Sequence, residues 1–226
     1  MNGVRAAPWR HPYWWMAAIS AAAWVGLIAR WSRPNHGHAH TTTFAIGDWT
    51  LMVAAMMLPL VFRHVQFTAT RSLWRRRQRA MLGFVCGYAS IWLLAGAVAS
   101  AVLLALGRPD LPNLPWLPAA AFGLAAMWQL VPLRRRAMAS CHRTMPLAPH
   151  GWRADRDCLR YGCSIGARCF VTCAALMLGC VVAGHSLLAM LSATVVAGVE
   201  RYDVRADERS TSMMLALVAV VYAIYR

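Results

Sequence analysis

The sequence predicts an all-α fold: a polytopic transmembrane helical bundle of about seven helices. Three observations predict it. Of 226 residues, 59% are hydrophobic and only 14% are charged, where an average soluble domain carries roughly 25% charged residues. The apolar residues fall in uncharged runs long enough to cross roughly 30 Å of hydrocarbon. The basic residues gather in the gaps between those runs. A soluble globular domain could not hide this much apolar surface, and a disordered chain would be far more polar.

The first span covers about residues 11–29, an uncharged run that ends at Arg30. A secretory signal is the rival reading, because Arg5 and Arg10 precede the run. Trp14, Trp15, Trp24 and Trp31 favour a retained helix anchored at the interface. The second span, about 46–62, carries Met52-Val53-Ala54-Ala55-Met56-Met57-Leu58-Pro59. Pro59 removes a backbone donor and is expected to kink the inner end of that helix. The third span runs about 80–106 and the fourth about 114–133. Small residues crowd these spans, which lets membrane helices approach closely. Between the third and fourth, Arg108-Pro109-Asp110-Leu111-Pro112-Asn113-Leu114-Pro115 forms a proline-stiffened loop.

From Cys169 to Val199 there are 31 residues without Arg, Asp or Glu. One helix of that length would reach about 46 Å at roughly 1.5 Å per residue, too long for one crossing without strong tilt. A hairpin turning at Gly184-His185-Ser186 divides it into a fifth span, 167–184, and a sixth, 186–201; a single long helix would lower the count to six. The last span is about 211–225. Residues 1–226 then form a single transmembrane domain, with loops at 63–79 and 134–166.

The chain has 23 basic and 8 acidic residues, a net charge of +15, and every basic residue is Arg. A pI near 10.9 first points to nucleic acid. Long uncharged runs separate the arginines, so no continuous basic patch exists and no nucleic-acid partner is expected. The arginines instead report orientation. Loop 63–79 holds Arg63, Arg71, Arg75, Arg76, Arg77 and Arg79, and the next loop on that side holds Arg134, Arg135, Arg136, Arg143, Arg153, Arg156, Arg160 and Arg168. The opposite loops hold Arg30, Arg33 and Arg108, so the sides stand at 14 against 3. The positive-inside rule puts the rich loops in the cytoplasm of a bacterial inner membrane, with the amino terminus inside.

Sulfur and imidazole carry the candidate chemistry. The cysteines are Cys86, Cys141, Cys158, Cys163, Cys169, Cys173 and Cys180, an odd number on the cytoplasmic side or within the membrane, which argues against a disulfide framework. Cys169 and Cys173 are spaced i, i+4 and share one helix face, and Met177 extends it by a turn. Thiolate and thioether are soft donors that favour Cu(I) or, for the thiolates, zinc. The same residues also read as ordinary membrane-core fillers. Arg168, beside Cys169, is a cation that could favour the thiolate. In the second span Met52 and Met56 share a face, which reads as packing or as weak Cu(I) ligation. Cys141-His142 is a further ligand source or a solvent-facing loop pair. Cys158 and Cys163 show no recognised zinc spacing. His36, His38 and His40 form a short His-rich tract in the first outer loop, suited to metal capture or to an ordinary polar loop. Glu200 closes the sixth span, and the simplest partner for it is Arg201 or Arg205. No Ser-His-Asp order, paired-carboxylate arrangement or nucleotide motif stands out, so no enzymatic activity is expected.

At these residues the chain resembles a bacterial family of uncharacterised proteins described as predicted metal-binding integral membrane proteins. The resemblance covers roughly Trp49 to Arg201. It rests on Trp49, Met52 and Ala55-Met56-Met57-Leu58-Pro59, on Gly87-Tyr88 and Trp92, and on Gln129-Leu130, Pro132-Leu133 and Arg134. It continues through Cys141, Cys169, Cys173, Leu176 and Met177 to Glu200. Two positions depart from the pattern: Ala137 and Thr172 stand where that family usually has cysteines. The resemblance implies metal binding; the two departures are compatible with a site of fewer thiolates, with a different metal, or with a protein that has lost metal binding and kept a structural role.

The resulting expectation is metal handling at the inner membrane, copper first and zinc second, with Cys169, Cys173 and Met177 as the core. Met52 and Met56 would complete it if the second and fifth spans meet, with His36, His38 and His40 collecting metal outside and Cys141 receiving it inside. The alternative is an accessory or scaffold subunit of a larger membrane complex, such as a metalloenzyme, holding no metal of its own. A transporter is the third reading, weakened by the lack of an evident repeat. In each case the lipid bilayer is a partner.

Overall fold

The computed structural model describes residues 13–32, 46–105, 116–148, 150–202 and 208–224, and every regular element among them is helical. In chain order these are α1 (Trp14–Trp31), α2 (Ile46–Met56), α3 (Phe62–Arg71), α4 (Arg77–Ala105), α5 (Leu117–Gln129), α6 (Pro132–Cys141), α7 (Gly151–Val182), α8 (Leu187–Tyr202) and α9 (Glu208–Ile224).

Proline decides where α2 stops. Pro59 has no N–H to offer the carbonyl of Ala55, four residues earlier. The helix ends at Met56, a single 3-10 turn covers Pro59–Val61, and the chain bends by 44° into α3. The freed carbonyls find side-chain donors. Ala55 O accepts from Ser20 Oγ at 2.9 Å and from Trp24 Nε1 at 3.1 Å, both on α1. Met57 O accepts from Tyr88 Oη at 3.3 Å, and Pro59 O from Tyr202 Oη. The kink expected from the sequence is thus a break sealed by four side chains, as buried backbone groups require.

The centre of the molecule is the crossing of α4 and α7. Gly83 and Gly87 on α4, and Gly162 and Gly166 on α7, are each four residues apart, the small-residue spacing that lets two helices touch backbone to backbone. A Cβ built on Gly162 would lie 2.0 Å from Phe84 O, and one on Gly87 would lie 2.2 Å from Leu159 O. Around the crossing, Phe84, Tyr88 and Trp92 of α4 are fully buried with Tyr161, Ile165 and Cys169 of α7. Helix α2 packs on α4, where Trp49 Nε1 donates to Trp92 O at 2.7 Å. Helix α9 packs on α5, with Phe122 and Tyr222 stacked at 5.6 Å.

The turn between α7 and α8 falls at 184–186, where the sequence reading put it. Gly184 (φ 66) and His185 (φ 56) take left-handed backbone, and His185 N donates to Cys180 O at 2.9 Å to close the end of α7. Only glycine adopts that conformation without penalty, which fits Gly184 to the first position.

The two expected cytoplasmic loops are largely helical. Helix α3 occupies 62–71, α6 occupies 132–141, and α7 begins at Gly151. Their apolar residues are too sparse to show as a run. In α3 only His64, Val65, Thr68 and Ala69 are buried, one stripe on an otherwise polar helix, and tertiary packing of such a stripe, not propensity, holds it helical. Cys158 and Cys163 therefore lie on α7, not in a loop.

Trp74–Val102 and Gly151–Val182 are each long and apolar enough to cross a membrane, and Ile46–Met56 with Pro59–Arg71 pass that test as a bent pair. Among the described residues that is fewer than the seven spans expected. Helices α5, α8 and α9 have 13, 16 and 17 residues, short of the roughly 20 that a full crossing takes.

Candidate metal centre

One face of α7 is lined by sulfur. Cys169, Cys173, Met177 and Cys180 are each at most 2% exposed, as the i, i+4 spacing demands on a helix packed from both sides. The thiols of Cys169 and Cys173 stand 4.0 Å apart. A metal–thiolate bond of about 2.3 Å at each end of that gap opens an S–metal–S angle of roughly 120°, which leaves room for a third donor. Two oxygen atoms sit beside the pair. Tyr88 Oη is 3.2 Å from Cys169 Sγ, and Thr172 Oγ1 is 3.5 Å from Cys173 Sγ. Among the described residues, no group of three or more His, Cys, Asp or Glu side chains converges in metal-binding geometry. The described feature is therefore a pair of thiols flanked by two hydroxyls.

Helices α6 and α8 bring charge to this face. Arg134 of α6 and Glu200 of α8 form a buried ion pair, 2% and 7% exposed, and Arg134 Nε also donates to Thr172 O at 3.3 Å. The next residue, Arg201, is 4% exposed. Its guanidinium approaches the Cys141 thiol and acts electrostatically on Cys169, Cys173 and Tyr88, while Nη1 and Nη2 have no hydrogen-bond partner. Burial pushes the Cys141 thiol up, against the pull of Arg201. Below Cys141, His64 Nδ1 lies 2.7 Å from Tyr161 Oη.

The predicted residues divide into three groups. Cys169, Cys173 and Met177 share the buried face that their spacing implies. Met52 and Met56 are fully buried on α2, which meets the site at one remove: Tyr88 of α4 touches both Met57 O and Cys169 Sγ. His36, His38 and His40 lie outside the described residues.

Three expectations are corrected. Cys141 is fully buried rather than solvent-facing, because α6 turns it inward seven residues after Arg134. Glu200 forms its ion pair with Arg134 rather than with Arg201, because consecutive residues on α8 point in different directions; Arg205 lies outside the described residues. Arg168 Nη1 donates to Ser140 O at 2.8 Å, and Arg201 is a cation that acts electrostatically on both thiols. Tyr88 and Arg201 are the site neighbours that sequence reasoning missed. Their signals were a hydroxyl in register with Phe84 and Trp92, and an arginine at the end of an uncharged run.

Residues 46–225 match the family model described as PpoB2, copper chaperone. The chain belongs to the PpoB2 copper chaperone family. The match runs from the start of α2 past the end of α9, so it takes in the broken helix, the α4–α7 crossing and the thiol pair. No curated protein and no solved structure matches the chain. Membership places copper handling on this fold, and soft sulfur donors are the ligand type that Cu(I) prefers.

Proposed function

We propose that this PpoB2-family chain is a multi-pass protein of the bacterial inner membrane that takes up Cu(I) on Cys169 and Cys173 and hands it on. The observation that carries the reading is the thiol pair: two cysteines 4.0 Å apart, buried, on one face of α7, the longest helix among the described residues. Two thiolates match the coordination preference of Cu(I), and the angle left open suits a third, weakly held donor. A site with an exchangeable third position can pass its ion to a partner by ligand exchange.

Helices α4 and α7 cross the bilayer, and the remaining apolar segments complete a bundle of seven with the Arg-rich segments and the amino terminus in the cytoplasm. Met52, Met56 and Met177 supply thioether contacts along the route, and Cys141 lies on the inner side. His36, His38 and His40 collect the ion on the outer side. The bilayer is one partner, and the acceptor of copper is a membrane metalloenzyme or its assembly complex. The large side chains left exposed on α4 and α9, among them Leu94, Val98, Met213 and Leu217, face lipid or that partner. Zinc is the competing ion for the thiolates. The protein acts as a carrier, not as a catalyst.

The test is the copper content of protein purified in mild detergent and loaded with Cu(I). Wild type is expected to retain copper against a moderate Cu(I) chelator, and Cys169→Ser with Cys173→Ser to lose it. Equal retention by the double variant overturns the assignment. Copper found only when a second chain co-purifies would favour the accessory-subunit reading instead.

A further inference from the structure

Arg201 is a buried cation in excess: Arg134 and Arg201 are two cations around one described carboxylate, Glu200. It is 4% exposed, and its Nη1 and Nη2 donate to no acceptor. The carboxylate beside it in sequence, Glu200, is committed to Arg134. Besides Glu200, the guanidinium acts on four neutral groups, Cys141, Cys169, Cys173 and Tyr88. Each becomes an anion only on losing a proton, so the cation faces charges that do not yet exist in the metal-free protein. An unpaired buried charge is costly to keep, and a fold that keeps one beside a thiol pair has a use for it.

We propose that Arg201 is the counter-charge that makes the Cys169–Cys173 pair selective for a monovalent over a divalent metal ion. The inference rests on the thiol-pair reading above and goes on to name what sets its metal preference. When Cu(I) binds, two S–H bonds break, two S–Cu bonds form, and both protons leave to solvent; no electron moves. Two thiolates and one Cu(I) carry a single net negative charge, which the guanidinium cancels. Two thiolates and Zn(II) are neutral, so the guanidinium would remain an unbalanced cation in a low-dielectric interior. Coulomb energy there is several-fold larger than in water, which makes this difference decide between two ions that the sulfur atoms alone accept. Arg201 is thus a positioning residue and not a ligand.

The test compares wild type, Arg201→Met and Arg201→Lys in detergent, each loaded with Cu(I) alone or Zn(II) alone and challenged with a chelator. Arg201→Met is expected to lose Cu(I) retention by about 10–100-fold, the range typical for residues behind the ligands, with Zn(II) retention equal or higher. Arg201→Lys keeps the wild-type preference. The metal-free Arg201→Met protein is expected to melt at or above the wild-type temperature, because an uncompensated charge has been removed. An unchanged Cu(I)-to-Zn(II) ratio in Arg201→Met overturns the proposal. So does a variant that fails to fold, or that melts lower and loses both ions equally, since the cation would then be structural. Wild type that binds no Cu(I), or a Cys169→Ser/Cys173→Ser variant that still binds it, brings down the thiol-pair reading as well.

Discussion

At Tyr88 one phenol oxygen links two parts of the molecule that the sequence keeps apart. It donates to Met57 O at 3.3 Å, a carbonyl left without a helical donor after the break at Pro59, and it lies 3.2 Å from Cys169 Sγ. Tyr88→Phe keeps the ring packed against its neighbours and removes only that oxygen. It leaves a buried carbonyl unsatisfied, a loss of about 1–3 kcal/mol. The expected result is a lower melting temperature in detergent together with weaker Cu(I) retention. A melting temperature equal to wild type would show that the Met57 carbonyl finds another donor. The hydroxyl of Thr172 plays a more local part. It donates to Cys169 O at 3.0 Å and occupies, beside Cys173, the position where the resembling family usually has another thiol. The site accordingly holds two thiols where a richer cluster would hold three.

Among the helices, the α4–α7 pair carries the site, and glycine sets its distance. Gly162 leaves no space for a side chain: its Cβ would stand 2.0 Å from Phe84 O. Gly162→Ala must therefore push α7 off α4, an overpacking cost of about 1–3 kcal/mol. It also moves Tyr88 away from Cys169, two helical turns further along. Gly123 on α5 is the control, because a Cβ there meets nothing within 4 Å. Gly123→Ala should stabilise by about 0.5–1 kcal/mol, the ordinary propensity gain of alanine in a helix. Thermal melting of both variants checks the pair; equal effects would show that the crossing is not glycine-limited. Gly83 and Gly87 entered the sequence reading only through a general crowding of small residues in the third span, and Gly162 and Gly166 fell in an expected loop. Which glycines touch, and which helix they touch, was not legible, because contact between α4 and α7 joins positions some 80 residues apart and no local pattern encodes it.

For the whole molecule, the distribution of arginine predicts orientation. If the Arg-rich segments are cytoplasmic, a cysteine placed at Trp152, at the start of α7, is protected in intact cells from a membrane-impermeant thiol reagent. A cysteine placed at Trp31, at the end of α1, is labelled. Both tryptophans are well exposed, at 67% and 60%, so access and not burial decides the outcome. The reverse pattern would invert the topology. The same exposed positions bear on partners. The apolar side chains on α4 and α9 need lipid or protein against them, whereas the buried polar groups of α6, α7 and α8 are turned toward one another.

The sequence by itself determined the helical class, the main apolar segments, the break at Pro59, the turn at Gly184 and the shared face of Cys169 and Cys173. These follow from composition, from proline and glycine backbone chemistry, and from the 3.6-residue period, all of which are local. The helices at 62–71 and 132–141 escaped that reading because their stability comes from a narrow buried stripe and not from an apolar run. Tertiary structure alone decided that Glu200 pairs with Arg134 across 66 residues, that Cys141 is buried, and that Tyr88 and Arg201 face the thiols. Those are long-range contacts between side chains, and they depend on how close α4, α6, α7 and α8 can pack. The charge of +15 divides the same way. Where most of its arginines lie is a property of the sequence; that Arg201 is buried within electrostatic reach of a pair of thiols, next to a carboxylate already bonded to Arg134, is a property of the fold.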